Sequence, residues 1–436
     1  MRLSCICFLF FISTATCAQQ QVTLEEVIAL ALQKNYDVLL SKNTATSNKT
    51  DMDYSLGAFL PQVNANGAIA WNTNDQKLEF QNTANNREGE AESNNLTASV
   101  NAVWTLFDGT RMFATRSRIE TISRQGQILV KDQMTNTIAS VITNYYNVVQ
   151  QKQQLNATHE QMTVSEERVK LADRRLQVGV GNKPELLQAK VDYNAQRTLV
   201  LQQEAAIVQL KEQLNALTGM SLPAEFDVTD SIAIDLSLDI NSLAESVENS
   251  NYSLQASKRG MEISHYAVSE RRAELLPTLN ANAAYNFSET DNTKLLNPFQ
   301  SVFSRNEGFN YGFSITVPIL NGFNTQRQIQ QAKITYNRSR LQYEQLRVNV
   351  NVALRNAIVN YQNAKEILFV EEENILLAKE NVTIALESFK RGIVTNIELR
   401  TAQQSLADAY NRLITARYNA KVAETELLRL KGDLLR

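Results

Sequence analysis

Two hydrophobic periods divide this chain. From about Thr110 to Leu176 apolar residues return every seventh position, at Met134, Val141, Val148, Leu155, Met162, Val169 and Leu176. The companion positions Ile138, Tyr145, Lys152, His159, Glu166 and Asp173 start apolar and turn polar. Such a sustained seven-residue repeat predicts a long helix supercoiled left-handedly against neighbours. At 1.5 Å per residue it would be roughly 100 Å long. A second seam, Arg347, Leu354, Tyr361, Leu368, Ile375, Val382 and Phe389, is broken only by Arg347. No proline follows Asn324, and no glycine lies between Asn324 and Gly392.

Elsewhere the period is two. Val63, Ala65, Gly67, Ile69 and Trp71 alternate with mostly polar residues, as do Leu96, Ala98, Val100, Ala102, Trp104 and Leu106. Leu279, Ala281, Ala283, Tyr285 and Phe287 form a third run, and Tyr311, Phe313, Ile315, Val317 and Ile319 a fourth. Each run is about the length of a tilted strand crossing a bilayer, one face apolar and the other rich in Asn, Ser and Thr. The polar stretches Thr73–Asn94 and Ser288–Asn310 read as loops. Helical pattern fills Thr23 to about Leu56, opened by the capping box Thr23/Glu26, and Leu243 to about Leu275. A shorter helix runs from about Pro184 to Leu217, and Gly219 to Ile240 reads as a linker.

The two patterns recur in one order. Gly392, in Phe389-Lys390-Arg391-Gly392-Ile393-Val394-Thr395-Asn396-Ile397-Glu398, lies 213 positions beyond Gly179. Each glycine suits the φ > 0 step that ends a helix, and Thr395/Glu398 or Asn182/Glu185 starts the next. Leu276-Pro277 repeats Leu60-Pro61 at an offset of 216, as Asn251-Tyr252 repeats Asn35-Tyr36. Asn321-Gly322 repeats Asp108-Gly109 at 213. A near-constant offset means tandem duplication. The expected organisation is a signal peptide over 1–18, one repeat over 19–222, a linker over 223–240 and a second repeat over 241–436.

Composition narrows the picture. Among 436 residues only 14 are Gly and 6 Pro, which suits extended helices. Arg2, the apolar run Leu3–Ile12 and small residues before Gln19 read as a cleaved export signal. Cys5, Cys7 and Cys17 all lie inside it, so the mature chain offers no disulfide or thiol nucleophile; a lipidated Cys17 is the minor alternative. A net charge of −3 with no basic patch gives no nucleic-acid footprint. His159 and His265 have no partners at metal-ligand spacing, so no metal or cofactor is expected, and no enzymatic activity. Glu371-Glu372-Glu373 reads as a solvated helix face.

Four strands cannot close a barrel, and an open edge in lipid leaves backbone groups unpaired at several kcal/mol each. Several chains must therefore share one barrel. Two would give eight strands, with an interior that side chains fill; three would give twelve and a wider lumen.

The doubled strand–helix plan, the Leu-Pro before each outgoing strand, the Asp/Asn-Gly after each returning strand and the Gly-centred tips resemble the TolC-like outer membrane efflux proteins. The likeness covers essentially the whole mature chain. It implies a mainly helical mixed fold: a homotrimer with one twelve-stranded β-barrel in outer membrane lipid, four strands per chain, and a coiled-coil α-barrel in the periplasm. It also implies a passive exit duct docked to a periplasmic adaptor and an inner-membrane pump of RND, ABC or MFS type. By the same resemblance, acidic residues six and nine beyond the second tip glycine narrow the periplasmic aperture. Those positions are Glu398 and Thr401 here, and only the first is acidic. The family's tyrosine three before that glycine is Phe389, and its arginine two after is Val394, so the closing network must differ. Gly179, Gly181, Gly392 and Val394 fall at the adaptor-docking tips. Trp71, Trp104, Tyr285, Tyr311 and Phe313 are candidates for an interfacial aromatic girdle. A type I protein secretion channel and an exported coiled-coil adhesive protein remain the other readings.

Overall fold

The protein is described by a computed structural model covering residues 20–223, 225–238, 247–297 and 299–435. The export signal and its three cysteines lie outside the described residues, as does the predicted start of the second repeat over 241–246. Two compact units form the fold, each drawing on both repeats. One comprises the chain up to Asn43, Ile128–Gln255 and Leu346–Arg436; the other comprises Thr44–Gln127 and Ala256–Gln345.

Helices make the first unit. In chain order the labelled helices of the protein are α1 (Leu24–Lys34), α2 (Tyr36–Asp53), α3 (Arg111–Gln177), α4 (Lys183–Leu217), α5 (Tyr252–Ala273), α6 (Asn324–Lys390) and α7 (Asn396–Lys431). Both heptad seams are sequestered. Val141 and Val148 are fully buried and Met134, Leu155, Met162, Val169 and Leu176 half-buried. In the second seam Leu354, Tyr361, Leu368, Ile375 and Phe389 are buried and Val382 half-buried, while Arg347 is exposed and pairs with Glu248 at 2.7 Å. Helix α3 packs on α4 through Ala172, Leu186 and Ala189. It meets α7 through Gln150–Thr415 and Asn136–Arg429 hydrogen bonds. Helix α7 in turn packs on α6 through Leu368, Ile375, Ala409 and Leu413. Glu371 is no solvated residue: its side chain is 12% exposed and accepts from Arg412 at 3.1 Å. An arginine on the facing helix removes that carboxylate from water.

The linker belongs to the core. Strands β1 (Gln20–Gln21) and β4 (Phe226–Asp227) pair in parallel, and Phe226 and Val228 are buried with Val27, Tyr145 and Leu214. Lys152, a polar seat in the heptad, reaches Asp227 at 2.5 Å and Asp230 at 2.7 Å. Burial pushes its ammonium down, but the two carboxylate bonds outweigh this and hold it above its ordinary value.

Thr23 to Leu56 is not one helix, as the pattern predicts, but two. Asn35 is extended at φ −61°, ψ 127°, so α1 ends there. Its side-chain oxygen accepts from the Asp37 and Val38 N–H groups to start α2, and its amide donates to the Leu217 carbonyl at the end of α4. Asn251 does the same, accepting from Leu254 and donating to the Leu430 carbonyl at the end of α7. Each clamp is followed 184 or 181 positions on by a left-handed glycine, Gly219 or Gly432.

The second unit holds a four-stranded antiparallel sheet in the order β2 (Gln62–Leu78), β3 (Arg87–Asp108), β5 (Thr278–Lys294), β6 (Phe303–Thr316). Three strand expectations change. The predicted loop at Thr73–Asn94 is largely paired strand, Thr73 opposite Glu92 and Leu78 opposite Arg87. The predicted loop at Ser288–Asn310 is likewise paired to Asp291 opposite Phe303. A backbone ladder needs no apolar face once the hairpin stands in water, so polarity does not end it. In contrast Val317 and Ile319, read as strand, lie beyond the end of β6 at Thr316, where Pro318 offers no N–H to a ladder.

Candidate functional site

The sheet has two unlike faces. Outward from the Val63 side, register places Val63, Ala102, Ala283 and Tyr311 in one row, then Ala65, Val100, Tyr285 and Phe309 in the next. The opposite face carries Asn64, Asn101, Ala284 and Asn310, then Asn66, Ser99, Asn286 and Gly308. From Gln62 to Asn72 and across the positions registered with them, no side chain on that face is charged. Nearly all strand charges of the hairpin region, such as Asp75, Glu90, Glu92, Glu289 and Glu307, stand on the apolar face's side beyond the end of the apolar run; Arg87, opposite Leu78 near the hairpin end, stands on the polar side.

That end is slanted. The last outward apolar residue of β2, Trp71, faces Asn94; that of β3, Leu96, faces Glu289; that of β5, Phe287, faces Glu307. The border thus retreats one row, two residues, per strand. Two residues are about 6.8 Å along an antiparallel strand and neighbouring strands lie about 4.8 Å apart, so a level border requires strands tilted by roughly 55°.

The five aromatic candidates share this face but not one level. Trp104 and Phe313 share a row through Ala281, Tyr311 and Tyr285 occupy the next two, and Trp71 stands three rows beyond Tyr285. Trp71's row ends in Phe303, an exposed ring that pattern reading misses because Arg305 and Glu307 interrupt the alternation. Trp104 donates its indole N–H to the Phe59 carbonyl at 2.9 Å.

Both hairpin tips are built on a left-handed glycine, φ +75° at Gly179 and +76° at Gly392. At the first, Val180 and Gly181 both donate to the Arg175 carbonyl, and a Cβ at Gly181 would lie 2.9 Å from Arg175 Cβ. Asn182 caps α4 by accepting from Glu185 N–H at 2.9 Å. At the second tip Thr395 and Glu398 form a reciprocal box: Thr395 N–H donates to Glu398 Oε2 at 2.7 Å, and Glu398 N–H to Thr395 Oγ1 at 3.3 Å. The Thr395 N–H and then its hydroxyl hold the Glu398 carboxyl below the usual carboxylate range, so it is charged at neutral pH. Thr401 spends its hydroxyl on the Ile397 carbonyl of its own helix. Val178, Val180, Ile393 and Ile397 are exposed around the glycines, and Val394 is half-buried.

Two features here have no local signature. Arg175 lies over the Phe389 ring at 4.5 Å and donates to the Phe389 carbonyl, joining the tips through residues 214 positions apart. Behind them a cavity of about 260 Å³ is lined by Arg168, Asp192, Gln196, Arg400, Gln403 and Tyr410. Asp192 binds Arg168 at 3.2 Å and Arg400 at 3.3 Å, so one carboxylate of α4 holds arginines of α3 and α7. His159 is exposed, and His265 packs against Tyr336 with ring centres 5.5 Å apart. Among the described residues no group of three or more His, Cys, Asp or Glu is placed to hold a metal, and no helix is long and apolar enough to cross a membrane.

Comparison with known proteins agrees with this geometry. The family description "outer membrane efflux protein" matches residues 27–220 and 243–433. The outer membrane efflux protein BepC of Brucella suis is 24% identical over 76% of this chain and 70% of its own length. Outer membrane protein TolC of Escherichia coli is 22% identical over 78% and 70%. The crystal structure of the Campylobacter jejuni CmeC outer membrane channel superposes with a TM-score of 0.79 at 16% identity, covering 94% of this chain and 85% of that one. The chain therefore belongs to the outer membrane efflux protein family, passive channels of the bacterial outer membrane.

Proposed function

We propose that three copies of this chain close one twelve-stranded barrel and one helical tube. The assembly is then the exit duct through which an inner-membrane pump, reached through a periplasmic adaptor, expels small molecules. The sheet carries the argument. Its edge strands β2 and β6 leave backbone groups unpaired, one of its faces is apolar, and the other is polar and, over the length of the apolar run, uncharged. Only closure with further copies satisfies those edges in lipid. Twelve strands leave an aqueous lumen where eight would be filled by side chains.

The helices support the same closure. In the first unit, large exposed apolar residues sit on α4, at Leu187, Val191, Leu201 and Val208, and on α6, at Val359, Val370, Leu377 and Ile384. Between Val130 and Gln177 α3 has none, and α7 has only Ile397, among the described residues. The helices that flank α3 and α7 thus carry the unpartnered stripes, at near-heptad spacing. Each stripe suits the other in a head-to-tail ring.

In this duct Glu398 supplies the acidic ring of the periplasmic aperture and Thr401 its uncharged neighbour. Gly179, Gly181, Gly392 and Val394, with the exposed aliphatics beside them, form the adaptor-docking tips. Trp71, Trp104, Tyr285, Tyr311 and Phe313 lie toward lipid. The pump is of RND, ABC or MFS type, and copurification from cells with each candidate pump deleted in turn identifies it.

Planar-bilayer recording tests the reading. The purified protein should conduct with a preference for cations, and Glu398→Gln should weaken that preference without abolishing conductance. Absence of conductance, together with absence of membrane association, sinks the channel; unchanged selectivity leaves Glu398 a helix cap alone.

A further inference from the structure

The two repeats predict each other's registers. Offsets of 216 for outgoing strands and 213 for returning strands turn Val63 opposite Ala102, in the first hairpin, into Leu279 opposite Ile315, in the second. That pair is present. The junction between repeats, β3 with β5, is also present: Leu96 faces Glu289, Ala98 faces Phe287 and Val100 faces Tyr285. A ring of copies needs the equivalent junction between β6 and β2 of the next copy. The same offsets then set Phe309 opposite Thr73, Tyr311 opposite Trp71 and Phe313 opposite Ile69 of that copy.

The slanted border gives the same answer without using the repeats. At every observed junction the last outward apolar residue of one strand faces the first polar outward residue of the next, as Leu96 faces Glu289 and Phe287 faces Glu307. The last outward apolar residue of β6's run before Glu307 is Phe309, and the first polar one of β2 is Thr73. Any other register would put a step in the lipid border at each subunit junction, placing charge in lipid or apolar surface in water.

Two local observations fit. Trp104, Thr105 and Phe107 pair with Ala281, Asn280 and Leu279, whereas their counterparts Val317, Pro318 and Leu320 are outside any strand. Their partners would belong to the next copy. A Cβ at Gly109 would lie 2.8 Å from Leu276 Cβ, while its counterpart Gly322 has nothing within 4 Å. Leu276 corresponds to Leu60, an exposed residue.

We propose that β6 pairs antiparallel with β2 of a second copy in the register Tyr311 to Trp71, with Gly322 against Leu60 of that copy. The inference rests on the trimeric duct proposed above and fixes how its wall is completed; without the partner strand the lumen face ends at an open edge. In this register Asn310 faces Asn72 on the lumen side.

Cysteine cross-linking tests it. Asn310→Cys combined with Asn72→Cys should form an intermolecular disulfide on mild oxidation, converting most chains to a covalent trimer that reductant reverses. Asn310→Cys with Ala70→Cys or with Asn74→Cys should not. Those partners are displaced by two residues, about 6.8 Å, which puts the Cα atoms beyond disulfide reach. Single-cysteine variants run beside them, and the mass of the unoxidised protein in detergent is measured in parallel. A trimer by mass that cross-links only through a displaced pair, or through none, overturns the register and leaves the duct standing. A monomer by mass overturns both.

Discussion

Gly179 and Gly392 turn the chain through the same left-handed step, yet the two tips end in different chemistry. At the first, a lone asparagine caps α4, and the nearest charged partner of Glu185 is Arg175 at 3.9 Å. At the second, Glu398 is committed to its own N-terminus through Thr395. Duplication has kept what the backbone needs: the positive-φ glycines, an N-cap, the Asn35 and Asn251 clamps. It has let go what only side chains do. Arg175 belongs to one repeat and Phe389 to the other, so their contact has no second version. Shared features are therefore read as folding devices, and unshared ones as candidates for function.

The largest test of that division is Gly219→Ala set against Gly392→Ala. Both glycines have positive φ, but a Cβ at Gly219 would lie 2.7 Å from the Lys34 carbonyl, while Gly392 has open space around it. The expected losses are about 3 kcal/mol and about 1 kcal/mol, read from urea unfolding in detergent. Equal losses would mean the close approach beside α4 is not maintained. Next, Asn35→Ala and Asn251→Ala should cost the same, about 2 kcal/mol each. Each removes a cap and leaves a helix-end carbonyl without its donor. A twofold difference would break the equivalence of the repeats. A smaller loss, about 1 kcal/mol, is expected for Arg175→Ala, which removes the cation from Phe389. The same change should loosen the tips, seen as faster amide exchange around residues 389–395. The smallest effect is on pH. Glu398 has a depressed folded pKa, so its capping contributes above the unfolded carboxylate value near 4.3 and fades as pH falls through the folded one. Acid titration should open the second tip in exchange experiments, and Thr395→Ala should remove that pH dependence.

Much of this was legible because it is local. Heptads mark buried seams over any length, and a glycine followed by Thr-x-x-Glu marks a tip with nothing else known. The repeat offsets placed four strands in two hairpins. What escaped depends on partners far away in the chain. Polarity at Thr73–Asn94 suggested a loop, although the ladder continues there because both strands continue it together. Asn35 looked like one more helical residue until Leu217 supplied the carbonyl it grips. Arg168 reads as an ordinary surface arginine, yet Asp192 and Gln403 bury it to 7% exposure. No period in the sequence encodes a meeting of three helices.

The slanted border has a consequence for size. On a ring of twelve strands about 4.8 Å apart, tilt sets circumference: at 40° the backbones enclose a tube about 24 Å across, and at 55° about 32 Å. The places where apolar residues stop on four strands thus act as a bore gauge. The calibre of the opening is recorded in side chains that never touch what passes through it.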